Sequence, residues 1–206
     1  MDIIQHSHIS QRKFGGNYRD YVDVHQFLDS TKLYFHHVKH RSVLHNTFGV
    51  ELAVELFGAE LFNSSNKAIC VRDLAIAHIK EDLSGKVPSL YDWFHAAHHL
   101  KPYCPEIPDM SRELREFVSR PYLRSGLQFT MFITLSDFGV FLCEKIMGID
   151  AAIELRSFLT PRNRIGQPLH QFEFQHEWQF TPDVDELNWL EANGFGKSVS
   201  HGSNHA

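Results

Sequence analysis

The chain has 206 residues, 43% of them hydrophobic, with a formal charge of −5 and three cysteines, Cys70, Cys104 and Cys143. That length supports one generous domain or two small ones without disulfide staples. The odd, widely spaced thiols point to a reduced, cytoplasmic setting and away from a Cys-x-x-Cys zinc finger. The negative balance excludes affinity built on broad phosphate neutralisation, so nucleic acid is an unexpected partner despite the local run of Arg112, Arg115, Arg120 and Arg124.

Residues 1–16 are polar, aperiodic and end in Gly15-Gly16; they read as a flexible arm, with no apolar core of a signal peptide. Helical spacing starts near Tyr18, where Tyr21, Val24, His25 and Leu28 share one stripe. His25 and Asp29 lie four apart on it and are expected to form a surface hydrogen bond. From Val38 to Phe57 the pattern predicts one long amphipathic helix, with Leu44, His45, Phe48, Leu52 and Leu56 on its inner face and Gly58 as its stop. The run Asn63-Ser64-Ser65-Asn66-Lys67 predicts a turn between short extended pieces. The next predicted helix, Val71–Leu83, turns Leu74, Ala75, His78, Ile79 and Asp82 inward.

Beyond Gly85, Ser89 with Asp92 makes an N-cap for a helix ending in His95, His98 and His99. Pro102, Pro105 and Pro108 mark a boundary. It separates a His-rich helical domain, 17–100, from a second helical region, 109–195, that packs with it or stands alone. That region reads as a helix over 111–119, a long apolar helix over about 125–147 and a helix from Asp150 to Leu159. The apolar helix carries Asp137, Glu144 and Lys145, whose cost at bilayer depth makes it a core helix and excludes a membrane role. Alternation of Phe172, Phe174, Trp178 and Phe180 predicts a strand or hairpin near the C-terminus, followed by a short helix to Asn193 and a flexible tail, 196–206. The expected fold is therefore mainly α, a multi-helix bundle with a small β element near the C-terminus. Phe48-Gly49-Val50, Leu52, Leu56 and Gly58 recur ninety residues on as Phe138-Gly139-Val140, Leu142, Ile146 and Gly148, an echo open to duplication or to similar packing.

Several motifs fall in a fixed order: Lys39-His40-Arg41, Leu44-His45, Phe48-Gly49, Phe57-Gly58, Asn63-Ser64, Arg72-Asp73, Ala75, His78, Glu81-Asp82-Leu83 and Pro88. In order and spacing, about residues 20–100 resemble a family of small bacterial and phage proteins with no assigned activity. The chain departs from that pattern in an extra Ser84 before Gly85 and in Ile76. The resemblance implies no particular activity and leaves the second half of the chain without a family to compare.

The chain contains 15 histidines, and most are clustered. Neutral imidazole with a carboxylate is the usual ligand set for zinc and similar ions. His40, His45 and His78 are the candidate metal ligands, and Glu81 and Asp82 the candidate catalytic acids, as ligand or general base. Arg41 and Arg72 are the candidate binding arginines. His40 and His45 are five apart, so both can meet one ion only if the helix begins between them. The chemistry that follows is a divalent metal site, zinc first, with hydrolysis of a phosphate or nucleotide if one coordination position stays open. The alternative is a non-enzymatic interaction module, phage- or defence-related, whose core is a metal-free His/Arg/Asp network and whose second half binds a protein or a second copy of itself.

Overall fold

The computed structural model describes residues 1–35, 40–95 and 107–159 of the chain. The described residues are mainly helical, with one small antiparallel sheet. In order the elements are α1 (Ile3–Phe14), α2 (Val22–Asp29), α3 (Arg41–Leu44), α4 (Thr47–Phe57), β1 (Glu60–Phe62), β2 (Ala68–Cys70), α5 (Val71–Asp82) and α6 (Leu90–His95). They continue as α7 (Arg112–Ser125), α8 (Asp137–Met147) and α9 (Ile149–Ser157). The sheet lies where the Asn63–Lys67 turn predicted it, with Leu61 opposite Ile69. The strand and final helix expected beyond residue 160 lie outside the described residues.

Residues 3–14, expected as an arm, form α1. Asp2 caps it by accepting from Gln5 N, and the Gln5 side chain reciprocates to the Asp2 backbone. This capping box satisfies two otherwise orphaned N–H groups, a local signal that polarity alone conceals.

The long helix expected over 38–57 is broken at His45-Asn46. Asn46 is extended (φ −159°, ψ 177°) and caps α4 by accepting from Gly49 N, while its Nδ2 donates to Ser42 O and Val43 O. One side chain thus stitches the end of α3 to the start of α4. Gly49 makes room for the break, since a Cβ there would lie 1.9 Å from Leu44 O.

The apolar stretch over 125–147 breaks in the same manner. A 3-10 turn, Gln128–Phe132, leads to Ser136, which caps α8 by accepting from Gly139 N. A Cβ on Gly139 would lie 1.8 Å from Thr134 O. Both α4 and α8 span 11 residues and stop at a glycine in nearly the same conformation, Gly58 (φ 85°, ψ 173°) and Gly148 (φ 95°, ψ 174°). The sequence echo is therefore an echo of backbone geometry, with Leu135 standing where the first copy has His45. No helix among the described residues is long and apolar enough to cross a membrane.

α2, α4 and α5 pack together, and α1 lies over α2 and α5. Tyr21, Leu28, Leu44, Leu74 and Ile79 are fully buried between them. Each contributes on the order of 1.5–3 kcal/mol of burial, which fixes the register of the helices that carry the histidines.

Candidate metal centre

Two helices present the same pair, a histidine followed four residues later by an aspartate: His25 and Asp29 on α2, His78 and Asp82 on α5. Residues four apart share a helix face, so the packing of α2 on α5 brings both pairs into one layer. His45 enters from the break after α3, held by the Trp93 Nε1–H that donates to its carbonyl at 3.0 Å. Were α3 and α4 one continuous helix, the His45 backbone would be committed to the α-helical ladder. The break frees it to turn its ring inward.

The resulting group is Asp29, His45, His78 and Asp82, each offering one ligand atom, all within 4.8 Å of one another. His45 Nε2 and His78 Nε2 are 3.2 Å apart, and His45 Nε2 is 3.3 Å from Asp82 Oδ2. Asp29 Oδ1 lies 3.8 Å from His45 Nε2 and 3.9 Å from His78 Nε2. Zinc–nitrogen and zinc–oxygen bonds of about 2.0–2.2 Å make the edges of a tetrahedron about 3.3–3.5 Å. The His45–His78 and His45–Asp82 edges are close to that length, the two from Asp29 to the rings are longer at 3.8 and 3.9 Å, and all six lie within 4.8 Å. This buried Asp-His-His-Asp group could hold a metal ion.

The surrounding charges favour ligand states. Burial pushes His45 and His78 below the ordinary imidazole range, and for His78 the neighbouring His45, His6 and His25 push further, so both rings are neutral. Burial works against the Asp82 carboxylate, but His45 and His6 beside it hold it well below the usual range, leaving it ionised. Metal ligation needs these same states, neutral imidazole and carboxylate. Asp29 Oδ2 faces Lys32 Nζ at 2.6 Å, whereas Oδ1, buried among imidazoles, receives no hydrogen bond. Asp82 Oδ2 likewise has no aligned donor, although Arg41 Nη2 is 3.2 Å away.

A second layer surrounds these four. His25 Nδ1 is 3.0 Å from His78 Nδ1, and its Nε2 is 2.9 Å from Ser10 Oγ. Burial, then the charge on His6, lowers His25 to about 3. His6 Nδ1–H donates to Glu81 Oε2 at 2.6 Å, and its Nε2 lies 3.3 Å from Asp82 Oδ1. Burial opposes protonation of His6, but Asp82 and Glu81 outweigh it and raise its pKa.

The family described as Domain of unknown function (DUF6915) matches residues 1–103 of the 206. The chain belongs to the DUF6915 family. The matched half contains every residue of both layers, from His6 to Asp82. No curated protein and no solved structure matches this DUF6915 chain.

Of the residues singled out from the sequence, His45, His78 and Asp82 come together. His40 is buried with its ring edge-on to His45 at 5.7 Å, and it is not one of the four grouped residues. Glu81 holds His6, and Arg41 lines the Asp82 side of the group. Arg72 lies six residues before His78 on α5, about 9 Å along the axis, and its Nη1 is 3.6 Å from Asp73. His95 stacks on Tyr91 at 4.6 Å, away from the group.

The sequence reading missed His6, Ser10 and the pair His25/Asp29. The pair carried a signal, because His25 shares the stripe of Tyr21, Val24 and Leu28, and a surface hydrogen bond would not place it there. Both residues are buried in the structure.

Proposed function

We propose that this DUF6915 protein binds one divalent transition-metal ion, zinc first, through Asp29, His45, His78 and Asp82. The observation that carries the reading is Asp29 Oδ1, which is buried, has no hydrogen-bond donor and lies within 3.9 Å of two neutral imidazole nitrogens. A buried carboxylate oxygen that receives no hydrogen bond is costly, and a cation between it and the two rings would offset that cost. Mixed imidazole and carboxylate donors suit zinc, with manganese and iron(II) as the alternatives.

The same geometry favours a closed centre over a hydrolytic one. Four protein donors complete a tetrahedron, and the side chains of the four are at most 1% exposed, so a phosphate or nucleotide has no route to the ion. Asp82 would then be a ligand and not a general base, and Glu81 a partner of His6. Hydrolysis would require one ligand to leave and open a coordination position.

A metal-free network is the second reading, favoured by Arg41, whose Nη2 lies 3.2 Å from Asp82 Oδ2 and offers that carboxylate a counter-charge. Elemental analysis of the purified protein separates the two. About one equivalent of metal, lost in His45→Ala and His78→Ala, is expected for a four-ligand site. Less than about a tenth of an equivalent, with failure to take up zinc after chelator treatment, would leave only the network.

A further inference from the structure

α1 is attached to the protein in an unusual way. Its fully buried side chains are His6, Ser7 and Ser10, and none is apolar; Ile3, Ile9 and Phe14 are only half-buried. Ser7 Oγ donates to Ile3 O within the helix. His6 and Ser10, four apart on one face, instead reach the metal group's neighbours. The His6 ring lies against His78 at 4.0 Å, with Nδ1 on Glu81 and Nε2 beside Asp82 Oδ1, while Ser10 Oγ meets His25.

From this arrangement we infer that His6, Ser10 and His25 are positioning residues of the metal centre, so that docking of α1 and occupation of the site by the ion are one linked equilibrium. The inference rests on the metal reading above and extends it to regulation of the same site. When His78 Nε2 gives its lone pair to an ion, the ring must carry its proton on Nδ1. That N–H then donates to His25 Nδ1, which forces the His25 proton onto Nε2, where it donates to Ser10 Oγ. The ion thereby sets the direction of each hydrogen bond along the path from His78 through His25 to Ser10 on α1. Without an ion both directions are open, and the chain Ser10, His25, His78, His45 has no single proton arrangement.

On the other side of the group, His6 Nε2 lies 3.3 Å from Asp82 Oδ1, and Oδ2 faces His45. Outer partners of this kind orient ligands and are worth about 10- to 100-fold in metal affinity. Linkage makes the effect mutual: an ion that steadies α1 is held more tightly by a protein whose α1 is docked. An apolar helix face would dock regardless of the ion; this polar one depends on partners whose state the ion decides.

The test uses the full chain, stripped with a chelator and titrated with zinc(II), with hydrogen exchange of the α1 amides read alongside zinc affinity. Saturating zinc is expected to slow exchange over residues 6–14 by about tenfold or more, within the usual range of coupling between linked sites. His25→Leu is expected to weaken zinc binding about 10- to 100-fold and abolish the slowing. His25→Gln, whose amide oxygen can still accept from His78 Nδ1–H, restores most of the affinity, which a merely space-filling role would not require. Ser10→Ala cuts the His25 link to α1, leaves that of His6, and serves if His25→Leu fails to fold; it should bind zinc more weakly and reduce the slowing. Wild-type zinc affinity in these variants, with α1 exchange identical in the presence and absence of zinc, overturns the linkage while leaving the metal site standing. If the wild-type chain takes up no zinc, the metal reading falls and this inference falls with it.

Discussion

Replacing Asp29 by asparagine changes one oxygen to an amide and leaves the shape of the site intact, which makes it the sharpest probe of what that carboxylate does. In the metal-free protein the substitution removes a buried charge whose Oδ1 has no hydrogen bond, at the expense of the contact with Lys32. Lys32 is 42% exposed, so that contact is screened by solvent and weak. The two effects oppose each other, and metal-free stability should move by no more than about 1 kcal/mol. With zinc the outcome differs. At a free concentration of about 100 times Kd, the ion stabilises the wild-type fold by about 2.7 kcal/mol. For a chain of 206 residues that corresponds to a rise in Tm of about 5–11 °C. Loss of one of four ligands, weakening Kd by about a hundredfold, leaves about 0.4 kcal/mol at the same zinc concentration, a shift of about 1–2 °C. Thermal melts of both proteins, stripped and zinc-loaded, read all four quantities. An Asp29→Asn protein that melts with the wild-type zinc shift would refute the ligand role. A loss of more than about 3 kcal/mol in the stripped state would show instead that the carboxylate is a paired structural group.

Gly49→Ala and Gly139→Ala should each destabilise the fold by about 1–3 kcal/mol in urea titrations, because the added Cβ would meet Leu44 O or Thr134 O at under 2 Å. Only Gly49→Ala should also lower zinc affinity, since only the first break positions a ligand. Trp93→Phe leaves His45 O without its indole donor and is expected to cost about 1–3 kcal/mol, with weaker zinc binding measured by isothermal titration. Burial, then Glu154, pushes the Cys143 thiol up to about 11, and the residue is fully buried. With only about one thiol in a thousand ionised at pH 8, Cys143 should resist a disulfide reagent until the chain is unfolded, as peptide mapping of the labelled protein would show.

Helical periodicity was legible wherever apolar residues recur every three or four positions, and it placed α2, α5 and the inward faces of His78 and Asp82 correctly. Asparagine and serine at the turn announced the small sheet of β1 and β2. Two breaks escaped it, at His45-Asn46 and before Ser136. In each, the apolar stripe runs on across the break, and the cue is one capping side chain with a glycine three residues later. α1 escaped for the opposite reason: periodicity searches for buried apolar residues, and this helix buries polar ones.

Local sequence by itself determined that α2 and α5 are helical and put a histidine and an aspartate on one face of each, since i,i+4 spacing is a property of a single helix. It could not determine that these two faces meet, that His45 turns in from a break to join them, or that an N-terminal histidine and serine close over the group. Those are contacts between residues separated by tens of positions. They exist because burial of Tyr21, Leu28, Leu44, Leu74 and Ile79 fixes how the helices cross, and only the packed structure holds that information.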